Sequence, residues 1–261
     1  MFRDRYALGM RPARQLGLWV GALTSLFALA VAWAGRPLDT EDTGTGTPGK
    51  SELELSGDYT HSSEERSGAV KGVLTFGLLP RLEARIESAL LFLKPEGEPV
   101  RGGIGDSLFG VKYRLLEETK TLPAVLSAFT LKLPTGDEAR GLGAKGVDVG
   151  LLAAVSKAVG PVTLTWNVGY VFVDESSARS RDLDVWNLAG SVEYRATAAW
   201  ALVGEIVNTV GADKAPDTAV LRIGQVYDIT NRIKLDGAVG FGVTRESPDV
   251  LVTVGATIAL F

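Results

Sequence analysis

The chain has 261 residues and a formal net charge of −4, from 27 Lys and Arg against 31 Asp and Glu. It contains no cysteine and one histidine, which excludes a disulfide framework, a Cys-ligated metal site and a thiol nucleophile, and argues against His-based catalysis. The weak charge leaves no electrostatic footprint for nucleic acid.

Residues 1–34 read as a cleaved signal peptide. Arg3, Arg5, Arg11 and Arg14 form a basic start, Leu18 to Val31 is apolar, and Ala32-Trp33-Ala34 offers small residues at both positions a signal peptidase reads. Removing four Arg and one Asp leaves 23 basic and 30 acidic residues, a net of −7. No later stretch reaches the ~18 uncharged apolar residues of a membrane helix. Residues 35–49, rich in Gly, Thr and Pro, have no apolar periodicity and read as an irregular lead-in.

From residue 50 onward the hydrophobic period is two. Between 162 and 173, Val162, Leu164, Trp166, Val168, Tyr170 and Phe172 oppose Thr163, Thr165, Asn167 and Gly169. The segments 182–195, 232–243 and 249–261 alternate in the same way. Twelve strands are predicted, at 50–60, 69–79, 82–93, 104–117, 122–133, 144–157, 161–173, 182–195, 199–209, 217–228, 232–243 and 249–261. Strands this long cover the ~9–11 residues a tilted strand needs to cross a bilayer, plus ends.

Alternation alone does not separate a soluble sandwich from a membrane barrel; the connections do. THSSEERSG, KPEGEPVRGG, PTGDEARGLG, DESSARSR, GADKAP and TRESP alternate with tight links at Pro80-Arg81, 118–121, 158–160, 196–198 and 229–231. Short periplasmic turns alternating with longer external loops mark an outer-membrane barrel. Aromatic residues split to match: Tyr113, Tyr194, Trp200, Tyr227 and Phe261 at one end, and Tyr59, Phe92, Tyr170, Phe172, Trp186 and Phe241 at the other. Two belts of this kind are expected at the two lipid–water interfaces. The expectation is therefore an all-β, single up-and-down antiparallel transmembrane β-barrel of about 12 strands over residues 50–261. It lies in the bacterial outer membrane, with both termini in the periplasm.

The same parity turns charges inward: Glu83, Arg85 and Glu87 on the third strand, Asp106, Lys112 and Arg114 on the fourth, then Lys132, Glu193, Arg195, Glu205, Arg222, Lys234 and Asp236. A hairpin centred near Glu98 sets Glu83 opposite Arg114, and Lys112 opposite Arg85 and diagonal to Glu87. These thirteen residues are the candidate lumen-lining, solute-contacting set. They describe either a narrow mixed-charge passage or a salt-bridged plug, since charges stripped of water need partners.

His61-Ser62-Ser63 sits in a predicted loop with Glu64 and Glu65, without the oriented third group a Ser–His nucleophile needs. Asp137 and Glu138 could bind external Ca²⁺ but show no ligand spacing. GLGAKG (141–146) does not lead from a strand into a helix as a phosphate loop must. No catalytic residue, metal or cofactor is implied, and the chain does not read as an enzyme.

RPLDTEDTGTGTPGKSELE (36–54), GIGDSLFGVKYRLLEE (103–118), SAFTLKLPTGD (127–137) and VSKAVGPVTLTWNVGY (155–170) together resemble the "MetA-pathway of phenol degradation" outer-membrane family. The resemblance implies a transporter of small organic solutes, aromatic ones among them, and carries no site residues. The expected function is passive uptake through the lumen; a structural barrel with a plugged lumen, or a lipid hydrolase, are the alternatives. Outer-membrane lipid, a small solute and the barrel-assembly machinery, engaged through a C-terminal strand ending at Phe261, are the expected partners. The C-terminal signal departs from the usual one, with Ala259 where a larger apolar residue is expected.

Overall fold

The computed structural model describes residues 35–174, 183–211 and 216–261. Residues 1–34, where a signal peptide is expected, and most of the DESSARSR and GADKAP loops lie outside the described residues.

Thirteen strand segments run β1 (Ser51–His61), β2 (Glu65–Leu79), β3 (Leu82–Pro95), β4 (Arg101–Ile104), β5 (Ser107–Leu116), β6 (Ala124–Leu133), β7 (Asp148–Val159), β8 (Val162–Phe172), β9 (Val185–Arg195), β10 (Trp200–Gly211), β11 (Thr218–Asp228), β12 (Ile233–Gly242) and β13 (Val250–Ala259). β4 and β5 are two halves of one stave, both paired with β3 and separated at Gly105 and Asp106. Each stave pairs antiparallel with its neighbours in sequence, and β1 closes the barrel on β13 from Glu52–Ala259 to His61–Val250. The result is a closed twelve-stave up-and-down barrel in which the strands leave no free sheet edge.

Exposure along each stave is the reverse of that in a soluble protein. Trp166, Val168 and Phe172 are exposed on β8, while Thr165, Asn167 and Gly169 are buried. Outside the β5–β7 sector most large apolar side chains are exposed, and Glu83, Arg85, Glu87, Lys112, Lys132, Asp148, Glu205 and Arg222 lie buried inside. Large exposed apolar area rarely goes uncovered, and a lipid-facing wall covers it. Among the described residues no helix is long and apolar enough to cross a membrane.

The expected loop rhythm holds in part. The β6–β7 connection, 134–147, carries a short 3₁₀ turn at Glu138–Arg140. The first outer connection, however, closes within 62–64, because the Ser62 amide donates to the Glu65 carbonyl at 2.9 Å and β2 starts earlier than its apolar pattern. The 117–123 turn is longer than the expected 118–121.

The wall of β5, β6 and β7 points an apolar cluster inward. Leu108, Leu126, Ala128, Leu152 and Ala154 pack together, Leu126 and Ala154 being fully buried. This sector of the lumen is filled by side chains.

The lipid-facing wall can be tested at Val168, exposed near the middle of β8. Val168→Arg should lower the stability of the folded barrel by about 2–4 kcal/mol, the cost of an arginine near the bilayer midplane. Urea unfolding in lipid vesicles measures this; an unchanged midpoint would mean the residue does not face lipid.

Candidate functional site: a strap across the lumen

Residues 35–47, the irregular lead-in, fold into the barrel and cross it. Starting from β1, the chain makes a turn at Thr47–Lys50 closed by Lys50 N–H to Thr47 O at 3.0 Å, with Gly49 at φ 75°. Gly77 of β2 bonds to both sides of this turn, donating to Lys50 O and accepting from Gly49 N–H. A Cβ on Gly77 would lie 2.1 Å from Thr47 O, so only glycine permits the approach.

The strap then meets the inward charges one after another. Gly46 N–H donates to Glu83 at 2.6 Å, and Arg114 Nε donates to Thr43 O at 2.7 Å. Glu41 is the centre: it accepts from Arg85 at 2.7 Å and from the Lys112 ammonium, all three groups being buried. Asn167 of β8 clamps the Glu41 backbone, accepting from its N–H at 2.6 Å and donating to its carbonyl at 2.9 Å. Glu205 of β10 accepts from the Asp39 and Thr40 amides and from the Thr40 hydroxyl, at 2.7–3.0 Å. Arg222 of β11 pairs with both Asp39 and Glu205 at 2.7 Å. Arg36 finally reaches Asp236 of β12 at 2.8 Å and Thr253 of β13 at 3.1 Å.

Every buried charge in this chain of contacts has an opposite partner, and the strap supplies most of them. Arg85 without Glu41, or Glu205 without the Asp39 and Thr40 amides, would be a charge removed from water with its hydrogen bonds unmade.

The register between the third and fourth staves differs from the expected one. Glu83 faces Lys112, Arg85 faces Gly110 and Glu87 faces Leu108. The hairpin turns about Gly97, at φ 74°, with Glu98 N–H bonding to Pro95 O, and the break at Gly105–Asp106 moves the register of β5 back by one residue relative to β4. Placing Arg85 opposite Gly110 matters: its side chain lies where a Cβ at 110 would be, 3.1 Å away, on its way to Glu41.

The other candidates divide by position. Asp106 anchors the 134–147 loop, accepting from the Gly136 and Ala144 amides at 2.9 Å and pairing with Lys132, which also pairs with Asp148. Glu193, Arg195 and Asp228 form an ion-pair group at the turn end, where Lys234 is exposed. Also at this end, the Arg114 hydrogen bond holds the exposed Glu117 carboxyl below the usual range. Hydrogen bonds from Lys157 and the Ala158 amide do the same for Glu118. The Asp137 carboxylate caps the 3₁₀ turn and pairs with Arg140, and Glu138 pairs with Lys145. No carboxylate cluster among the described residues could hold a metal. Ser62 Oγ bonds to Glu65, and no hydrogen bond joins His61 to Ser62 or Ser63.

Above the strap, toward the loops, lies a cavity of about 650 Å³. Arg36, Pro37, Leu38 and Asp39 form its floor, with Arg85 and Arg222; β1–β3 and β13 form its wall, and the 62–65 and 245–249 loops its rim. None of its lining residues belongs to the turns at the other end.

The family model described as "Putative MetA-pathway of phenol degradation" matches residues 34–260, nearly the whole barrel and its strap. The chain belongs to this family. Among solved structures it is similar to an outer membrane channel from Pseudomonas putida F1, at 16% identity over 85% of this chain and 100% of that one, with a TM-score of 0.70. The NanC porin matches at 14% identity over 80% and 100%, TM-score 0.59. The KdgM porin, solved in complex with disordered oligogalacturonate, matches at 9% over 80% and 99%, TM-score 0.55. At these identities the likeness establishes the fold, an outer-membrane β-barrel of the kind found in channels and porins. No curated protein matches the chain in sequence.

Four strap residues, Arg36, Asp39, Glu41 and Asp42, and the wall residues Glu54, Asp58, Lys71 and Asn167 were not among the sequence candidates. For Glu54 and Asp58 a signal existed, since they share the inward parity of Ser56 on β1. The strap residues gave none, because an irregular segment has no period to read.

The strap's attachment is testable by protease. The double variant Asp39→Asn, Glu41→Gln should make residues 35–47 cleavable by endoproteinase Asp-N before Asp42 in folded protein that is resistant as wild type. Equal resistance of the two would show that these carboxylates do not hold the strap.

Proposed function

We propose that the barrel is a passive channel of the outer membrane for small organic solutes, aromatic ones among them, and that the strap forms its constriction. The observation that carries this reading is a roomy cavity rimmed by loops and floored by a hydrogen-bonded strap. Solutes would enter from the loop end, lose part of their hydration against the mixed wall, and pass the strap by diffusion. No bond is made or broken, and selection comes from width and from the inward charges. The solute class is supported by the family's description. In this reading the thirteen inward charges split into roles: Glu83, Arg85, Lys112, Arg114, Glu205, Arg222 and Asp236 hold the strap, Asp106 and Lys132 hold a loop, and Glu87 meets the solute. Glu193, Arg195 and Lys234 stand at the turn-end mouth.

One observation favours a second reading, a closed structural barrel: the strap bonds to seven wall strands from β3 to β13. Single-channel recording in planar bilayers separates the two. Wild type should show small, steady openings, and deletion of 36–46 or the Asp39→Asn, Glu41→Gln variant should raise the conductance severalfold. If none of the three conducts, the barrel is closed and the channel reading fails.

Export and assembly belong to the same proposal: residues 1–34 direct export, and the strand ending at Phe261 engages the barrel-assembly machinery. Cleavage after Ala34 would free an α-ammonium at Gly35, beside a carboxylate, since a Cβ on Gly35 would lie 3.1 Å from Asp42 Oδ2. N-terminal sequencing of the membrane-extracted protein should begin at Gly35; a start elsewhere would overturn that cleavage site.

A further inference from the structure

The cavity above the strap is unevenly charged. Each cation in its inner wall and floor already has a carboxylate: Arg36 has Asp236, Lys71 has Asp58 at 3.1 Å, Arg85 has Glu41, and Arg222 has Asp39 and Glu205. Two inner carboxylates have no such partner. Glu54 of β1 and Glu87 of β3 both line the cavity, and neither makes an ion pair or hydrogen bond within the described residues. They face Val73 of β2 from its two sides, so they stand level with each other across one intervening strand. Glu87 is only 7% exposed. The rim adds Glu64, Glu65, Glu246 and Asp249 against Arg245 alone.

The cations nearest Glu87, Lys71 and Arg85, are already bonded to Asp58 and Glu41, so this buried carboxylate on the cavity wall has no direct partner among the described residues and is left for something that arrives. The wall beside it is apolar: Leu91 and Leu93 follow Glu87 on β3, and Leu251 stands on β13. A bare metal ion needs several converging ligands, and no such group exists among the described residues. The volume also far exceeds one ion. A carboxylate pair beside apolar side chains suits an ammonium group carrying a hydrocarbon or aromatic body.

We propose that this cavity is a binding site for organic ammonium solutes, with Glu54 and Glu87 accepting from the ammonium and the leucines covering the apolar part. The site deepens the channel reading, as its solute class, and rests on it only for onward passage. Strap and ammonium would sit one above the other, the strap's cations staying paired while the solute neutralises the remaining carboxylates.

Equilibrium binding tests the site without requiring flux. Purified, folded full-length barrel in detergent is titrated calorimetrically with phenethylammonium chloride, with sodium benzoate and phenol as probes of similar size. Phenethylammonium should bind saturably and the other two should not. Glu54→Gln and Glu87→Gln should each weaken binding about tenfold, the loss expected for a hydrogen bond to a charged group, while Glu246→Gln at the rim should leave it within about twofold. Heat-modifiable gel mobility checks that each variant is folded. Benzoate or phenol binding as tightly, full competition by millimolar magnesium chloride, or unchanged affinity in both glutamine variants would each overturn the proposal. Because the readout is binding, a barrel that binds phenethylammonium but never conducts would sink the channel and keep the site. One that conducts without binding would do the reverse.

Discussion

Hydrocarbon offers no hydrogen-bond partner, and the rest of this structure follows from that constraint. Backbone groups at membrane depth must pair within the protein, so the strands close into a ring in which β1 meets β13. Side chains on the outer wall must be apolar, so each stave turns its polar alternates inward. Among the described residues the wall's buried charges balance in number, four carboxylates against four cations, but Arg85 pairs with a carboxylate from outside the wall, Glu41. The strap brings it: Glu41 alone links β3 through Arg85, β5 through Lys112 and β8 through Asn167. What looks from outside like an insertion supplies, from within, the carboxylate that Arg85 and Lys112 share.

The same constraint explains what the sequence disclosed. A one-residue slip would move every apolar side chain from lipid to lumen, so parity is the most strongly fixed property of each strand. All twelve staves were legible from alternation, most ends falling within a few residues of their observed places. Pairing register was less legible. A two-residue slip preserves parity, and so alternation did not distinguish Glu83 opposite Arg114 from the observed Glu83 opposite Lys112. The choice was made locally, by the left-handed Gly97 and the break at Gly105–Asp106. The strap was the least legible, because its partners lie far away in sequence: 44 residues separate Glu41 from Arg85, and 200 separate Arg36 from Asp236. Composition showed a segment unable to be a strand; it carried no information on which charges would receive it.

The lumen is divided into sectors of different chemistry, and the division places the cavity. Apolar side chains of β5–β7 fill one side. Above them, Asp106 fixes the 134–147 loop through two amides, and Leu142 of that loop is buried. The strap occupies the level of Glu205, Arg222 and Arg85. What remains open is the loop-side volume against β1–β3 and β13, where Glu54 and Glu87 are left without a direct partner. Open volume and unmatched charge coincide because the strap's cationic partners lie along its own track, and its track passes below these two residues.

The strap's attachments are graded along its length. At Thr47–Lys50 it is tied to Gly77 by backbone bonds and continues covalently into β1. At Glu41 it is held by two buried cations and a backbone clamp. At Arg36 it is held by one partly buried ion pair and a threonine. The attachment is therefore weakest at the Arg36 end, whose cation is the most exposed of the three. Removing Glu41 from its cluster would take from the buried Arg85 the carboxylate that it pairs with, so the strap is held most strongly at this point.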